Sequence, residues 1–274
     1  MMSAPMNPRI AISNIAWPEA DDAEALDLVC AAGFGGIEVA PVKTFGPWQT
    51  IDLDRVRQVA AGLAARGLPI VAMQGIAFGA PTAKLFGGPE ARASLAQHLA
   101  LVARIAGACG GVPCVFGAPA ARDPGDLPVA DAMVKAAAFL TAIGPVFARE
   151  GASLAIEAVP AAHGGRFITH TAEAIALVRR VRTEGIGLQI DMATMMVNEE
   201  DPALLAEAVP LAVHCHASAP QLAPVAACAA AHSRLAGSLR AAGWIGRISV
   251  EMRTAPDWRT AIREAGAAMR DVWM

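Results

Sequence analysis

The sequence predicts a single α/β domain folded as a closed (β/α)₈ barrel, and two observations lead to this prediction. Eight short apolar segments alternate with eight segments of helical periodicity. No linker or low-complexity stretch interrupts the 274 residues. Alternation of this kind indicates a parallel sheet covered by helices, and eight such units occupy roughly 250 residues in a closed barrel. We expect one domain over residues 1–274, with a loose tail at residues 1–8.

A doubly wound open sheet is the alternative with the same alternation. That fold usually carries a glycine-rich phosphate-binding loop after its first strand. The corresponding segment here reads SNIAWPEADD and lacks the glycines. We therefore favour the barrel.

The first four units place strands at residues 9–14, 36–40, 69–74 and 113–117. Their helices are predicted at about residues 21–32, 53–66, 89–109 and 129–150. Pro89 suits the first turn of the third helix, because proline lacks an N–H group that this turn would leave unpaired. Gly67 and Gly151 end the second and fourth helices, since glycine readily adopts the C-terminal cap conformation.

The last four units place strands at residues 152–157, 185–191, 210–216 and 246–251, and helices at about 171–182, 202–208, 229–242 and 257–271. Each of these strands ends in a potential metal ligand, in the order Glu157, Asp191, His216 and Glu251. The ligands are 34, 25 and 35 residues apart, about the length of one strand and its helix.

Four such residues would meet at one end of a barrel, where the carboxyl ends of all the strands lie. A buried acidic residue needs a partner, so four consecutive strands with these endings favour a common role over four solvated ends. The set predicts a site with three carboxylates and one imidazole for a single divalent ion. Mn²⁺, Mg²⁺, Co²⁺ and Zn²⁺ all suit these ligands.

A second set of polar residues is expected to contact substrate hydroxyls or an anionic group. It consists of Asn14, Glu38, Gln74, His214, His232 and Arg253. His214 lies two residues before His216 on the same strand, so it should point to the same side, one layer deeper. For Glu38 a solvated strand end is an equally good interpretation, and for His214 a hydrogen-bonded core position.

Residues in the loops at the carboxyl end of the barrel are expected to form the walls of the pocket. Trp17, Trp48 and Phe78 are the candidate aromatic walls. Lys43, Arg122 and Arg253 are the candidate anion-binding groups, although an exposed cation is more often solvated surface. His98, between Ala and Leu on a predicted helix, is expected to be structural.

Composition argues against several classes of partner. The net charge of −3 and the absence of a basic run give no reason to expect nucleic acid or an acidic membrane surface. The N-terminal segment MMSAPMNPRI has no apolar stretch of the signal-peptide type. Five scattered cysteines without a CxxC pair predict reduced thiols, and with them a cytoplasmic protein.

Several segments resemble a known group of enzymes. AISNIAW, GGIEVAP, MQGIAFG, CVFGAPAAR, HCHASAPQLAPV and RISVEMR are similar to the sugar phosphate isomerase/epimerase subgroup of the xylose-isomerase-like TIM barrel superfamily. The resemblance spans the whole chain. It implies that the strand-end ligands Glu157, Asp191, His216 and Glu251 hold one divalent metal ion, and that the chain forms a homo-oligomer.

The sequence departs from ketose epimerases of this superfamily in three places. Thr194 stands where they commonly carry a substrate-contacting histidine after strand six. Ser218, Ala219 and Pro220 occupy the region of an arginine that follows their HxH pair. A second glutamate after Glu157 is missing, with His163 near its place.

The function implied is a divalent-metal-dependent isomerase or epimerase for a sugar or sugar phosphate. Glu157 and Glu251 would take and return a proton next to a carbonyl, through an enediolate. A lyase such as an inosose-type dehydratase, or a hydrolase, would use the same metal site. A non-catalytic sugar-binding barrel is the third possibility.

Overall fold

The computed structural model describes residues 6–273, and its eight parallel strands form a closed barrel in chain order. The strands are β1 Ile10–Ser13, β2 Ile37–Val39, β3 Ile70–Met73, β4 Pro113–Phe116, β5 Ser153–Glu157, β6 Ile186–Asp191, β7 Ala212–Ser218 and β8 Ile248–Glu251. The barrel closes between its first and last strands, where Ile10 is in register with Ile248 and Ile12 with Val250. The predicted fold class is therefore confirmed.

Helices cover the outside of this barrel. They are α1 Asp22–Ala31, α2 Pro41–Phe45, α3 Leu53–Ala65, α4 Pro89–Ala108, α5 Val129–Arg149, α6 Thr171–Val181, α7 Met192–Val197, α8 Leu205–Ala208, α9 Ala229–Ala241 and α10 Trp258–Trp273. The long predicted helices are present within a few residues of their expected bounds. Asp52 shows how the sequence starts one of them, since its carboxylate accepts hydrogen bonds from the N–H groups of Asp54 and Arg55 at the beginning of α3.

The short helices were not predicted correctly. The segment expected as one helix at residues 202–208 is a 3₁₀ turn, Pro202–Leu204, followed by the single turn of α8. Helices α2 and α7 were not expected at all. Five or six residues contain too few turns to give a periodic pattern, so such helices leave no clear signal in the sequence.

The apolar core lies between the strands and the helices, while the barrel interior is filled differently. Ile10 and Ile12 join the large outer core, whereas Ala11 belongs to a separate small cluster with Val71 and Ala72. Because side chains alternate along a strand, Ala11 points into the barrel. Small residues therefore fill the interior at this level, and the polar side chains gather at the carboxyl ends of the strands.

Two features lie outside the barrel frame. The loose tail expected at residues 1–8 falls partly on residues 1–5, which are outside the described residues. Asn7 pairs with Phe34, and its N–H group donates to the Gly33 carbonyl at 2.9 Å.

Within residues 6–273, α5 is the helix that is long and apolar enough to span a membrane by length and composition. In the fold it packs against β5, α4 and α6.

Candidate metal centre

The register of the last four strands brings the predicted ligands together. Asp191 is paired with His216 on neighbouring strands. The Nδ1 atom of His216 lies 3.5 Å from Glu157 Oε1, 3.3 Å from Glu251 Oε2 and 3.8 Å from Asp191 Oδ2. One ligand atom from each of the four residues lies within 4.8 Å of the other three. Residues up to 94 positions apart in the chain thus converge at one point of the barrel mouth.

The imidazole of His216 is held in a defined orientation by Glu38. His216 is fully buried, and its Nε2 lies 3.0 and 3.1 Å from the two carboxylate oxygens of Glu38. In the neutral imidazole, a proton on Nε2 would be donated to that carboxylate, and the Nδ1 lone pair would face the other three acids. Nδ1 has no hydrogen-bond partner although it is buried. A buried nitrogen in this state is expected to bind a ligand of another kind.

Asp191 is fixed from two sides. The N–H group of Thr194 donates to Oδ1 at 2.6 Å, which makes Asp191 the N-cap of α7. The hydroxyl of Ser218 donates to Oδ2 at 2.5 Å and accepts from the Ala193 N–H group at 3.0 Å. The side chain therefore enters the centre with little rotational freedom.

Sequence reasoning missed Ser218 as a site residue. Strand β7 was expected to end at His216, but it continues to Ser218, which is paired with Glu251 on β8. The signal was present in the sequence: His214, His216 and Ser218 are spaced two apart, so all three share one face of the strand.

Gly117 is a second residue that sequence reasoning missed. A Cβ atom at this position would lie 1.9 Å from Glu157 Oε2, so any other residue would displace the carboxylate from this position. Arg122 is buried close by and donates to the backbone carbonyls of Glu157 and Gly117. Its predicted role as an anion-binding group is wrong, because its donors hold the backbone that carries Glu157.

The charges at this centre are unbalanced. Burial raises the pKa of Glu157 to about 7, and the carboxylates of Asp191 and Glu251 add to this effect. Burial would lower the pKa of His216, but Glu38 and Glu251 raise it well above its ordinary value. Four carboxylates thus surround one buried imidazole. A divalent cation between Glu157, Asp191, His216 and Glu251 would offset this excess of negative charge, and the donor set suits one.

Glu38, His214 and His216 form a second group with ligand-like spacing, and it is completely buried. Burial would raise the pKa of Glu38, but the neighbouring His216 and His214 hold it well below its usual range. His214 Nε2 lies 3.5 Å from Glu38 Oε2, and its ring stands edge-on to that of His216. We interpret this group as the hydrogen-bonded support of His216, one layer below the centre.

Neither Glu38 nor His214 lies where a substrate would bind. His214 has the hydrogen-bonded core position that was its alternative interpretation, whereas Glu38 is neither at the substrate nor at a solvated strand end. Glu38 is 0% exposed and His214 is 2% exposed. Neither reaches the cavity above the ligands, since His216 lies between them and the mouth. The prediction that His214 lies one layer deeper than His216 is confirmed.

Asn14 and His232 were also expected at the substrate and lie elsewhere. Asn14 is in a 3₁₀ turn after β1, where its amide donates to Thr44 Oγ1 and accepts from the Ala40 N–H group, both at 2.9 Å. His232 is buried on α9 with its Nδ1 3.2 Å from Met192 Sδ. Burial lowers the pKa of His232 to about 4, so it is a neutral core side chain at pH 7.

Of the residues expected to form the aromatic walls and of Lys43, only Phe78 lines the cavity at the mouth of the barrel. Phe78 lines the cavity and is 74% exposed, whereas Trp17 is buried in the outer core. Trp48 lies behind the wall and donates to the Phe78 carbonyl at 2.6 Å. Lys43 donates to the carbonyls of Asn14 and Trp17, so it is not free to bind an anion.

The helix histidine His98 has the structural role that was expected. Its Nε2 is 2.5 Å from the Ile76 carbonyl, and its ring packs edge-on against Trp48 at 4.6 Å between centroids. This contact anchors the loop that follows β3.

Gln74 and Arg253 do lie at the cavity, on opposite sides of the centre. The cavity has two lobes, and Glu157 and Glu251 line both. The larger lobe, about 690 Å³, lies beneath the loops that follow β3 and β4 and includes Gln74. The smaller, about 530 Å³, lies above β5 to β8 and includes Asp191, His163 and Arg253.

This geometry assigns the chain to the α/β barrels whose active face, at the carboxyl ends of the strands, carries a carboxylate-rich candidate metal centre. Within that class, the chain belongs to the xylose isomerase-like TIM barrel family, which matches residues 26–272. No curated protein matches the chain significantly.

Solved structures with the same fold include several sugar epimerases. A D-psicose 3-epimerase from Clostridium cellulolyticum H10, solved with D-tagatose, has a TM-score of 0.76 at 14% identity over 96% of this chain and 99% of the epimerase. A 3-keto-D-glucoside 4-epimerase from E. coli has a TM-score of 0.74 at 19% identity over 96% and 99%. An L-ribulose 3-epimerase has a TM-score of 0.75 at 17% identity over 99% and 96%. At these identities the likeness establishes the fold.

Proposed function

We propose that this protein is a divalent-metal-dependent isomerase or epimerase that moves a proton at a carbon next to the carbonyl of a sugar or sugar derivative. The observation that carries the proposal is the position of Glu157 and Glu251. Their carboxylates lie 3.5 and 3.3 Å from the same nitrogen of His216, and both face both lobes of the cavity. A carbon skeleton that crosses from one lobe to the other therefore passes over both carboxylates.

The residues that would hold the metal ion are Glu157, Asp191, His216 and Glu251. When bound, the ion would polarise the carbonyl and stabilise the enediolate charge that develops on the substrate. The unpartnered Nδ1 of His216 and the excess of carboxylates at the centre support this assignment. Glu38 and Ser218 would keep His216 and Asp191 oriented.

The two glutamates would perform the proton transfer. One carboxylate accepts the proton from the carbon next to the carbonyl, and the electron pair of the broken C–H bond forms the enediolate. The other, in its protonated form, donates a proton to the opposite face of that carbon, or to the former carbonyl carbon while the hydroxyl proton moves to the neighbouring oxygen. The first outcome is epimerisation and the second is isomerisation.

The test is solvent exchange in D₂O. The metal-stripped protein, reloaded separately with Mn²⁺, Mg²⁺, Co²⁺ or Zn²⁺, is incubated with ketoses, aldoses and their phosphates, and deuterium incorporation is followed by NMR. We expect deuterium at a carbon next to the carbonyl of at least one sugar. Glu157→Gln and Glu251→Gln should each lower the exchange rate by at least ~10²-fold, the lower range for general acid–base groups.

Glu264→Gln is the matched control, because Glu264 is exposed on the outer helix α10 and the variant makes the same chemical change. Exchange that survives in both active-site variants would refute the proposal. Loss of water from the substrate without reversible exchange would instead assign a dehydratase, and metal-dependent sugar binding without exchange a binding protein.

A further inference from the structure

The larger lobe of the cavity has an unusual lining for a sugar site. Its walls come from the loops after β3 and β4, and their side chains are almost entirely apolar. The wall residues are Ile76, Ala77, Phe78, Pro81, Pro119 and Ala120. A hydroxyl group placed against them would give up its hydrogen bonds to water without gaining new ones.

Most polar groups of these two loops are already hydrogen-bonded to other groups of the protein. Lys84 donates to the Ala120 carbonyl at 2.8 Å, which joins the two loops. The Ile76 and Phe78 carbonyls are bound by His98 and Trp48 from behind the wall. Gln74, at the base of the lobe, donates to Ser13 Oγ at 2.6 Å. The loops are therefore held in place while their apolar side chains face the cavity.

Phe78 gives the clearest indication of an apolar ligand. Its side chain is 74% exposed, although the backbone on either side of it is anchored. A large aromatic group held open to water at a cavity gains free energy when a ligand covers it.

The smaller lobe carries more polar groups. Its lining includes His163, Gln221 and Arg253 together with Asp191, next to small apolar residues such as Ala162 and Ala219. Gln221 and Leu222 both adopt left-handed backbone conformations there, with φ of 59° and 55°. Strain of this kind is found where a loop is held for a function. The lobes on either side of Glu157 and Glu251 thus differ in polarity, and hydroxyl groups find more hydrogen-bond partners in the smaller one.

We propose that the substrate is a sugar derivative bearing an apolar alkyl or aryl substituent. The substituent occupies the larger lobe, and the hydroxyl-bearing part lies between the two glutamates and in the smaller lobe. This inference rests on the proposed function, because it uses the same centre to place the reacting carbon. It excludes a small free ketose as the preferred substrate, since such a sugar would leave the larger lobe to water.

The test compares two probes that differ only in their apolar group, methyl β-D-glucopyranoside and phenyl β-D-glucopyranoside. Binding to the metal-loaded protein is measured by isothermal titration calorimetry at millimolar probe concentrations. We expect the phenyl glycoside to bind at least about tenfold more tightly. Phe78→Ser and Ala120→Asp should each remove that preference.

The matched control is Ile245→Ser, because Ile245 is 87% exposed and precedes β8, at the opposite end of that strand from Glu251. This variant should keep the preference. Equal affinities for the two probes, no binding of the phenyl glycoside, or an unchanged preference in both lobe variants would overturn the inference. So would a dimer that Phe78→Ser dissociates in sedimentation, because a second copy would then cover the lobe.

Failure of this inference is distinguishable from failure of the proposed function. The exchange reaction and its dependence on Glu157 and Glu251 are measured on unsubstituted sugars and can hold when the phenyl preference is absent. Conversely, a preference for the phenyl glycoside without any exchange reaction would support the apolar compartment and refute the proposed isomerase or epimerase activity.

Discussion

The two halves of the barrel use the polar residues at their strand ends differently. In β5 to β8 the carboxylate and imidazole groups point to one common centre. In β1 to β4 most of the polar side chains near the strand ends form hydrogen bonds within the barrel. Glu157 and Asp191 face His216 Nδ1 within 4 Å. Asn14 instead ties the end of β1 to the segment after β2, and Arg122 binds two backbone carbonyls after β4 and β5. The mouth of the barrel is consequently acidic on one side and apolar on the other.

This difference shows that a polar residue at a strand end is not sufficient to identify a site. Glu38 lies near the end of β2, in the first half of the barrel. Its carboxylate nevertheless orients His216, which belongs to the second half, from the layer beneath it. What distinguishes the two halves is the direction of each side chain relative to the barrel axis, and whether its polar atoms are already paired.

The largest expected effect is the loss of ion binding in Asp191→Ala. The variant removes a carboxylate that would bind the ion directly. Because residues that only support a ligand typically contribute 10- to 100-fold to metal affinity, we expect the Mn²⁺ affinity to fall by more than about 100-fold. Titration calorimetry with Mn²⁺ measures it. The variant also loses the N-cap of α7, which should lower the free energy of unfolding by about 1 kcal/mol. Unchanged Mn²⁺ affinity would contradict the assigned centre.

The next effect concerns His232, one of three buried histidines in the second half of the chain. The pKa of His232 is lowered by burial from 6.5 to about 4, so between these values the unfolded chain binds a proton that the folded chain does not. Stability from this group is therefore complete above pH 6.5 and is lost as the pH falls towards 4, by on the order of 3 kcal/mol.

Urea denaturation of the metal-free protein from pH 7 to 4 checks this prediction, with His232→Gln as the comparison. The variant should lose less free energy of unfolding than the wild type over that interval. Parallel curves for the two proteins would show that His232 titrates normally.

A smaller effect is expected in Glu38→Gln. The substitution keeps the size of the side chain but removes the charge that holds the proton on His216 Nε2. Mn²⁺ affinity should fall by roughly 10- to 100-fold. Glu90→Gln, an exposed substitution in the first turn of α4, should have no effect on it. An equal loss in both variants would contradict the supporting role of Glu38.

The smallest effect on the centre is expected in Asn14→Ala, which tests the first half of the barrel. The variant leaves the Ala40 N–H group without its acceptor and removes one donor to Thr44 Oγ1, so the free energy of unfolding should fall by about 1–3 kcal/mol. Mn²⁺ affinity should not change. A loss of Mn²⁺ binding with unchanged stability would place Asn14 at the site after all.

The sequence by itself determined the barrel and the four residues of the candidate metal centre. Short apolar strands and longer amphipathic helices specify the alternation of β and α units. In a closed barrel the carboxyl ends of all the strands lie at the same end, whatever the conformation of the loops. Glu157, Asp191, His216 and Glu251 end their strands or lie within two residues of the end, so their direction follows from the alternation alone.

Only the tertiary structure decided the rest. Asn14 lies just past β1 in a 3₁₀ turn, where the period of two no longer sets the side-chain direction. The need for glycine at position 117 depends on a carboxylate 40 residues away, and the burial of Arg122 depends on carbonyls after two different strands. Such contacts join distant parts of the chain, so local patterns of residue type carry no record of them.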